Sequence, residues 1–252
     1  MSSRVGALRA SVGTLHTLAS GLDDVQIVSP SYCDEWSIAQ VLSHLGSGAV
    51  IFRRSLDDVR AGSTAPEDFN QSVWDEWNDK APRDQVDDAL AADEALMETL
   101  EAVDEAERAR LRFSMGPMSL GFDEYVGLRL NDHAFHVWDI AVALDAAARL
   151  SDSVVQPVVE NLGMIARFSG RPDGQDRTVT VRTTGPERDF ALRIGADGVE
   201  LDAVEHEHQP DLELPAEAFA RLVYGRLDPE HTPPFTGDAA LLDGLRGVFP
   251  GF

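Results

Sequence analysis

The sequence has little cysteine and few basic residues. Its 252 residues include a single cysteine, Cys33, so no disulfide can form within the chain. This is typical of proteins from a reducing compartment, and we predict a cytoplasmic location. Lysine and arginine number 21 against 44 aspartates and glutamates, giving a formal net charge of -23. Because such a surface repels phosphate groups, we expect neither nucleic acid nor an anionic membrane as a partner.

Long apolar runs and the common phosphate or nucleophile motifs are also missing. No stretch reaches the roughly 18 apolar residues of a membrane span, and the N-terminus lacks the apolar centre of a signal peptide. Glycine-rich phosphate loops, nucleophile elbows and CxxC pairs are absent. Hydrophobic residues make up 43% and charged residues 26%, as in ordinary globular proteins.

The periodicity of apolar residues changes near residue 150. Before it, helical spacing predicts four main helices, with residues 63–81 as a loop containing a helical turn. These helices cover 5–20, from the N-cap Ser37 to Gly62, from Pro82 onward, and from about Ser119 to Leu144. After it, a helix over 153–168 precedes period-two segments that predict strands and a hairpin. We therefore predict an α+β chain, with a helical bundle over 1–150 and a small α+β domain over 151–252.

The fourth predicted helix carries a polar stripe on a mostly apolar surface. Arg129, Asp132, His136 and Asp139 fall within roughly 80° of one another at helical spacing. A helix this apolar is expected to be buried, so the stripe should face the bundle interior. Buried carboxylates and imidazoles are costly unless they are paired or bind a metal.

Two residues of this stripe have the spacing of metal ligands. Asp132 and His136 are four residues apart and reach one point, and both suit zinc or another first-row divalent ion. His44, at the edge of the second helix's apolar stripe, is the candidate third ligand, and Asp139 is a candidate acceptor for a ligand histidine. His133 is an alternative to Asp132. A simple hydrogen-bonded or acid–base pair is the alternative without a metal.

Three further candidates are weaker. Cys33 is either a nucleophile or a small, partly buried residue near a helix start. His206 and His208 have ligand spacing but lie in an acidic connection that suggests a solvated loop. Trp77 is either a pocket residue that contacts a cofactor or a packing residue of the bundle.

Two segments together carry a resemblance to a known family. The segment from Trp36 to Leu45 and the segment from Arg129 to Ala141 resemble the mycothiol-dependent maleylpyruvate isomerase family, which belongs to the DinB/YfiT-like metal-binding four-helix superfamily. The C-terminal segments from Asp211 and from Phe235 resemble its small second domain, so the resemblance covers nearly the whole chain.

The resemblance implies zinc or a similar divalent ion held by His44, Asp132 and His136. It also implies mycothiol as a thiol cosubstrate, whose metal-bound thiolate adds to a cis double bond so that rotation and elimination complete the isomerisation. Arg226 is the implied residue for binding a substrate carboxylate or stabilising an enolate, and a surface salt bridge is its alternative role. The family pattern has glutamate where this chain has Asp132, so the ion must sit closer to the helix or His133 must assist.

The expected partners are a low-molecular-weight thiol and a small electrophile, and the expected assembly is a monomer or a homodimer. The reaction is either an isomerisation or a thiol transfer. A non-catalytic, metal-stabilised module that binds a small molecule or a protein is the alternative function.

Overall fold

The structure is a computed structural model that describes residues 3–33, 35–116, 118–205 and 209–251. The chain divides into two compact units, Met1–Val154 and Val155–Phe252. The first is helical and the second contains a mixed sheet, so the predicted α+β class is confirmed. The assignment of two domains with limits at 150 and 151 stays a prediction.

The first unit is built on four long helices, α1 (Ser3–Ala19), α3 (Ile38–Ala61), α5 (Pro82–Glu101) and α7 (Phe122–Leu144). Ser37 caps α3 at its start, and Gly62 ends it in the left-handed conformation with φ of 64°. Pro82 opens α5, as predicted. The elements of this unit are α1 Ser3–Ala19, α2 Asp24–Ile27, α3 Ile38–Ala61, α4 Phe69–Asn78, α5 Pro82–Glu101, α6 Glu105–Arg110, β1 Arg112–Met115, β2 Met118–Gly121 and α7 Phe122–Leu144.

Apolar side chains from these helices form one core. Leu42 and Leu45 of α3 pack with Leu15 of α1, Val86 of α5 and Ile140 of α7. Each of these side chains is almost completely buried. Packing of amphipathic faces therefore holds α3 against α5 and α7, and this places His44 opposite the polar stripe.

Two expectations for this unit need correction. The fourth main helix begins at Phe122 and not at Ser119, because β1 and β2 form an antiparallel hairpin in which buried Phe113 faces Leu120. Residues 69–78 form a ten-residue helix where a single helical turn was expected. Val73 and Trp77 lie one turn apart on it and pack on the core, and this tertiary contact stabilises a helix that is weak by itself.

The close contact between Gly46 and Trp77 leads to a stability prediction. A Cβ atom at residue 46 would lie 2.2 Å from the Trp77 ring and 2.8 Å from the Ala89 backbone, whereas a Cβ at Gly13 of α1 meets nothing within 4 Å. We expect Gly46→Ala to lower the free energy of unfolding by about 1–3 kcal/mol through overpacking. Gly13→Ala should raise it by about 0.5–1 kcal/mol through helix propensity. Urea unfolding of both variants checks this, and equal effects would contradict the packing described.

The second unit is a five-stranded sheet covered by helices. The strands follow one another in the order β5 (Gly198–Val204), β4 (Arg188–Gly195), β3 (Arg177–Thr184), β6 (Leu212–Pro215) and β7 (Thr236–Gly237). Strands β3 and β6 are parallel and the other neighbours are antiparallel. Val179 and Val181 of β3, Leu192 of β4 and Leu201 of β5 are buried, as the period-two pattern predicted. The elements are α9 Leu162–Ser169, β3 Arg177–Thr184, β4 Arg188–Gly195, β5 Gly198–Val204, β6 Leu212–Pro215, α10 Ala216–Val223, β7 Thr236–Gly237 and α11 Ala239–Val248.

The expected helix over 153–168 is two helices. Helix α8, Asp152–Glu160, contains Pro157, and α9 follows after Asn161. The backbone amide of Asn161 donates to the carbonyl of Val158, three residues back, which marks the junction.

Among the described residues, no helix combines the length and apolar character that crossing a membrane requires.

Candidate metal centre

The polar stripe of α7 faces the bundle interior, as its pattern predicted. Arg129 and Asp139 are buried, and the side chain of His136 is 12% exposed. Asp132 keeps 38% of its side chain exposed. A solute can therefore reach Asp132 and His136, while Arg129 and Asp139 contact them from the protein side.

The three predicted ligands come together. Oδ1 of Asp132 lies 3.1 Å from Nε2 of His44 and 3.6 Å from Nε2 of His136. One ligand atom from each residue lies within 4.8 Å of the other two. The packing of α3 against α7 brings two segments together that are almost ninety residues apart in the chain.

The spacing of these atoms suits a small divalent ion. Ligand atoms around a tetrahedral ion with bonds of about 2.0–2.1 Å are about 3.3 Å apart. The two measured separations, 3.1 and 3.6 Å, lie on either side of that value. Two imidazole nitrogens and one carboxylate oxygen also form a donor set that zinc accepts, with a fourth position left for a substrate or water.

The second nitrogen of His136 is bound by Asp139. Nδ1 of His136 lies 2.9 Å from Oδ2 of Asp139, which is fully buried. Because a carboxylate only accepts hydrogen bonds, Nδ1 donates to Asp139, and Nε2 is the ring nitrogen that faces Asp132. Asp139 is therefore placed as the acceptor that the sequence suggested for a ligand histidine.

Cys33 contacts the carboxylate of Asp139 as well, and the sequence did not predict this contact. Its thiol donates to Oδ2 of Asp139 at 2.9 Å, and Sγ is 3.6 Å from Nδ1 of His136. Cys33, His136 and Asp139 also have ligand-type atoms within 4.8 Å of one another. The available signal was its position three residues before Trp36, where the first of the two segments that resemble the family begins.

Trp36 borders the site and was given no role from the sequence. Its ring centroid lies 5.3 Å from that of His44 and 6.1 Å from that of His136. The two imidazoles meet edge to face at 4.6 Å. Trp36 is 39% exposed, so an apolar surface lies beside the open side of the histidine pair.

His133 lies in another environment. Its Nε2 contacts Oδ2 of Asp93 at 3.1 Å, its Nδ1 contacts Oγ of Ser11 at 2.8 Å, and the side chain is fully buried. Both ring nitrogens are thus engaged away from the His44–Asp132 pair. Sequence reasoning missed Asp93, although it interrupts the apolar stripe that includes Val86 and Met97 of α5.

The partners of Asp132 stabilise the ionised form of its carboxylate. Partial burial by itself would raise the pKa of Asp132. The hydrogen bond from His44 and the charges of His136, His44 and Arg129 outweigh burial and hold this pKa well below its usual range. The carboxylate is therefore ionised at neutral pH, as a metal ligand must be.

The remaining candidates lie elsewhere. The side chain of Trp77 is buried in the core of the first unit, with Nζ of Lys80 3.9 Å from its ring, and its contact with a cofactor stays a prediction. Arg226 belongs to the second unit, where it follows Gly225 (φ 69°) and donates from Nη1 to the Tyr224 carbonyl at 3.2 Å. His206 and His208 lie outside the described residues.

Comparison with known proteins gives one family and two similar structures. Residues 8–141, more than half of the chain, match the family described as the mycothiol maleylpyruvate isomerase N-terminal domain. The first structure is a histidine-to-alanine mutant of the mycothiol-dependent maleylpyruvate isomerase, with a TM-score of 0.67 at 11% identity over 94% of this chain and 93% of that chain. The second is the mycothiol-dependent maleylpyruvate isomerase, with a TM-score of 0.65 at 12% identity. This similarity covers 92% of this chain and 93% of that chain.

The similarity to the two structures establishes a shared fold, because the sequence identity is only 11–12%. No curated protein matches the sequence closely enough to count as a relative.

Proposed function

Since this chain belongs to the mycothiol maleylpyruvate isomerase N-terminal domain family, as its two helix motifs predicted, we propose that it is a metal- and mycothiol-dependent enzyme. Its reaction is the cis–trans isomerisation of a small unsaturated acid or the transfer of the thiol to a small electrophile. The observation that carries this proposal is the convergence of His44, Asp132 and His136 on one point.

The proposed metal ligands are Nε2 of His44, Oδ1 of Asp132 and Nε2 of His136. A divalent ion bound there, zinc in the first instance, would lower the pKa of a coordinated thiol and so supply a thiolate at neutral pH. Asp139 fixes the ring of His136 by accepting from Nδ1, so the residue keeps one orientation and one tautomer. Asp132 would supply a negative charge that partly offsets the charge of the ion.

Other residues of the chain are proposed to bind and orient the organic reactants. Trp36 offers an exposed apolar face beside the two imidazoles, which would exclude water from one side of a bound thiol. We propose Arg226 as the group that binds a substrate carboxylate or a developing enolate, since a guanidinium forms two parallel hydrogen bonds to such a group. A cytoplasmic location, a monomeric or dimeric state and a role for Trp77 stay predictions.

The test is a reconstitution with defined components. Protein stripped of metal is reloaded with Zn²⁺ and given mycothiol and maleylpyruvate, and formation of fumarylpyruvate is followed. A panel of other small electrophiles tests thiol transfer. We expect turnover only when both the ion and the thiol are present. Turnover by the stripped protein would refute the metal dependence, because no other change distinguishes the two samples.

A second outcome of this experiment distinguishes the enzyme from the alternative function, a non-catalytic binding module. A protein that binds one Zn²⁺ per chain but converts no electrophile in the presence of mycothiol would instead be a metal-stabilised binding module. Reloading with Mn²⁺, Ni²⁺ and Fe²⁺ in parallel distinguishes an inactive protein from one that was given the wrong ion.

A further inference from the structure

Arg129 occupies a buried position between the helices that carry the proposed ligands. Its side chain is 2% exposed, which is rare for a guanidinium. Nη1 donates to Oδ2 of Asp132 at 2.9 Å, and Nη2 donates to Oδ1 of Asp93 at 2.9 Å and to the Leu45 carbonyl at 2.7 Å. The guanidinium therefore joins α7 to α5 and to the residue beside His44 on α3.

The contacts of Arg129 continue into a network that reaches every main helix of the first unit. The second oxygen of Asp93 contacts Nε2 of His133, whose Nδ1 contacts Oγ of Ser11 on α1. Gly48 leaves the space that the guanidinium fills, because a Cβ at residue 48 would lie 2.8 Å from Nη1 of Arg129. The position of the guanidinium is thus determined by packing as well as by charge.

The two oxygens of Asp132 have different partners. Oδ2 accepts from Arg129, while Oδ1 is the oxygen nearest to both histidines. A carboxylate held in this way presents one oxygen to an ion, although a free carboxylate can present both. Two imidazoles and a single oxygen amount to three protein ligands, the number found in four-coordinate catalytic zinc sites.

We propose that Arg129 is a positioning residue that restricts Asp132 to one-oxygen coordination and so selects an ion that accepts four ligands. This inference rests on the proposed metal centre. The inference also explains how the short side chain of Asp132 serves as a ligand, because the guanidinium holds Oδ2 and leaves Oδ1 for the ion. His133, which contacts Asp93 and Ser11, is not needed as a ligand. Zn²⁺ should be favoured over Mn²⁺, which prefers more oxygen ligands.

The test uses two variants that disturb the guanidinium in different ways. Arg129→Lys keeps the charge but cannot span three acceptors, and Gly48→Ala displaces the guanidinium without removing any charged group. We expect each to lower Zn²⁺ affinity about 10–100-fold, the usual effect of losing a partner of a ligand. We also expect the visible absorption of bound Co²⁺ to weaken, because both oxygens of Asp132 become available and the coordination number rises.

The control is Ser11→Ala, at the far end of the same network. It removes the hydrogen bond to His133, so the unfolding temperature should fall, while Zn²⁺ affinity and the Co²⁺ spectrum should match the wild type. The inference is overturned if Arg129→Lys and Gly48→Ala leave affinity and spectrum unchanged, or if Ser11→Ala changes them equally. A wild-type protein that binds no Zn²⁺ would overturn the metal centre itself, and the inference with it.

Discussion

Replacing His136 by alanine is expected to abolish tight metal binding and, with it, any thiol-dependent activity. The imidazole contributes one of three converging ligand atoms, with Nε2 3.6 Å from Oδ1 of Asp132. Loss of a partner behind a ligand typically weakens metal affinity about 10–100-fold, so we expect loss of the ligand itself to exceed about 100-fold. Elemental analysis and competition with a chelating dye measure the effect.

A second ligand variant and a matched control complete this experiment. His44→Ala should produce the same loss from a different helix. His16→Ala is the control, because the side chains of His16 and His44 are both 34% exposed and His16 belongs to no ligand group among the described residues. Wild-type metal content in His136→Ala and His44→Ala would refute the proposed centre, provided that circular dichroism shows both variants to be folded.

Replacing Asp93 by asparagine is expected to cause the largest loss of stability, about 3–5 kcal/mol in the free energy of unfolding. Asp93 is fully buried and accepts from Arg129 at 2.9 Å and from His133 at 3.1 Å. Asparagine has nearly the same shape but lacks the charge, and its amide nitrogen would face one of these donors. The guanidinium of Arg129 would then be buried with less compensation.

Tryptophan fluorescence during urea unfolding measures this loss in the correct unit. The four tryptophans, at residues 36, 74, 77 and 138, all lie in Met1–Val154. Asp88→Asn is the control on the same helix, since Asp88 is 52% exposed and pairs with Lys80 at the surface. We expect it to change stability by less than about 1 kcal/mol. Equal effects of the two variants would contradict the buried network.

The same variant should alter how stability depends on pH. Burial alone would raise the pKa of Asp93, but the charge and hydrogen bond of His133, and then those of Arg129, outweigh it and lower this pKa. The stabilisation by Asp93 is therefore complete above the unfolded pKa of about 3.9 and is lost as pH falls toward the lower folded pKa. The difference between wild type and Asp93→Asn should therefore shrink as the pH falls below about 4.

Local patterns predicted the elements that depend on neighbours along the chain. Ser37 and Gly62 cap the two ends of α3, and Pro82 is the first residue of α5. These features are predictable because capping and backbone restriction act over a few residues. The hairpin β1–β2 and the helix α4 were not predicted in this form. Each is stabilised by buried contacts, of Phe113 and of Trp77, with distant parts of the chain.

The candidate site divides in a similar way. Helical spacing placed Arg129, Asp132, His136 and Asp139 on one face of α7. The same spacing left His133 as an alternative to Asp132, because neighbouring residues on a helix differ by only about 100° in direction. In the structure, both ring nitrogens of His133 contact residues of other helices, Asp93 and Ser11, which the spacing on α7 could not predict.

By itself, the sequence determined which helix carries the polar stripe, which side chains on it share a face, and the family to which the chain belongs, because these depend on residue order and periodicity. The tertiary structure alone decided the distance at which His44 meets Asp132, that Cys33 shares Asp139 with His136, and that Arg129 binds Asp93 of α5 as well as Asp132. The contacts of His44, Cys33 and Asp93 join distant segments. Their distances follow from how the helices pack, which no local pattern encodes.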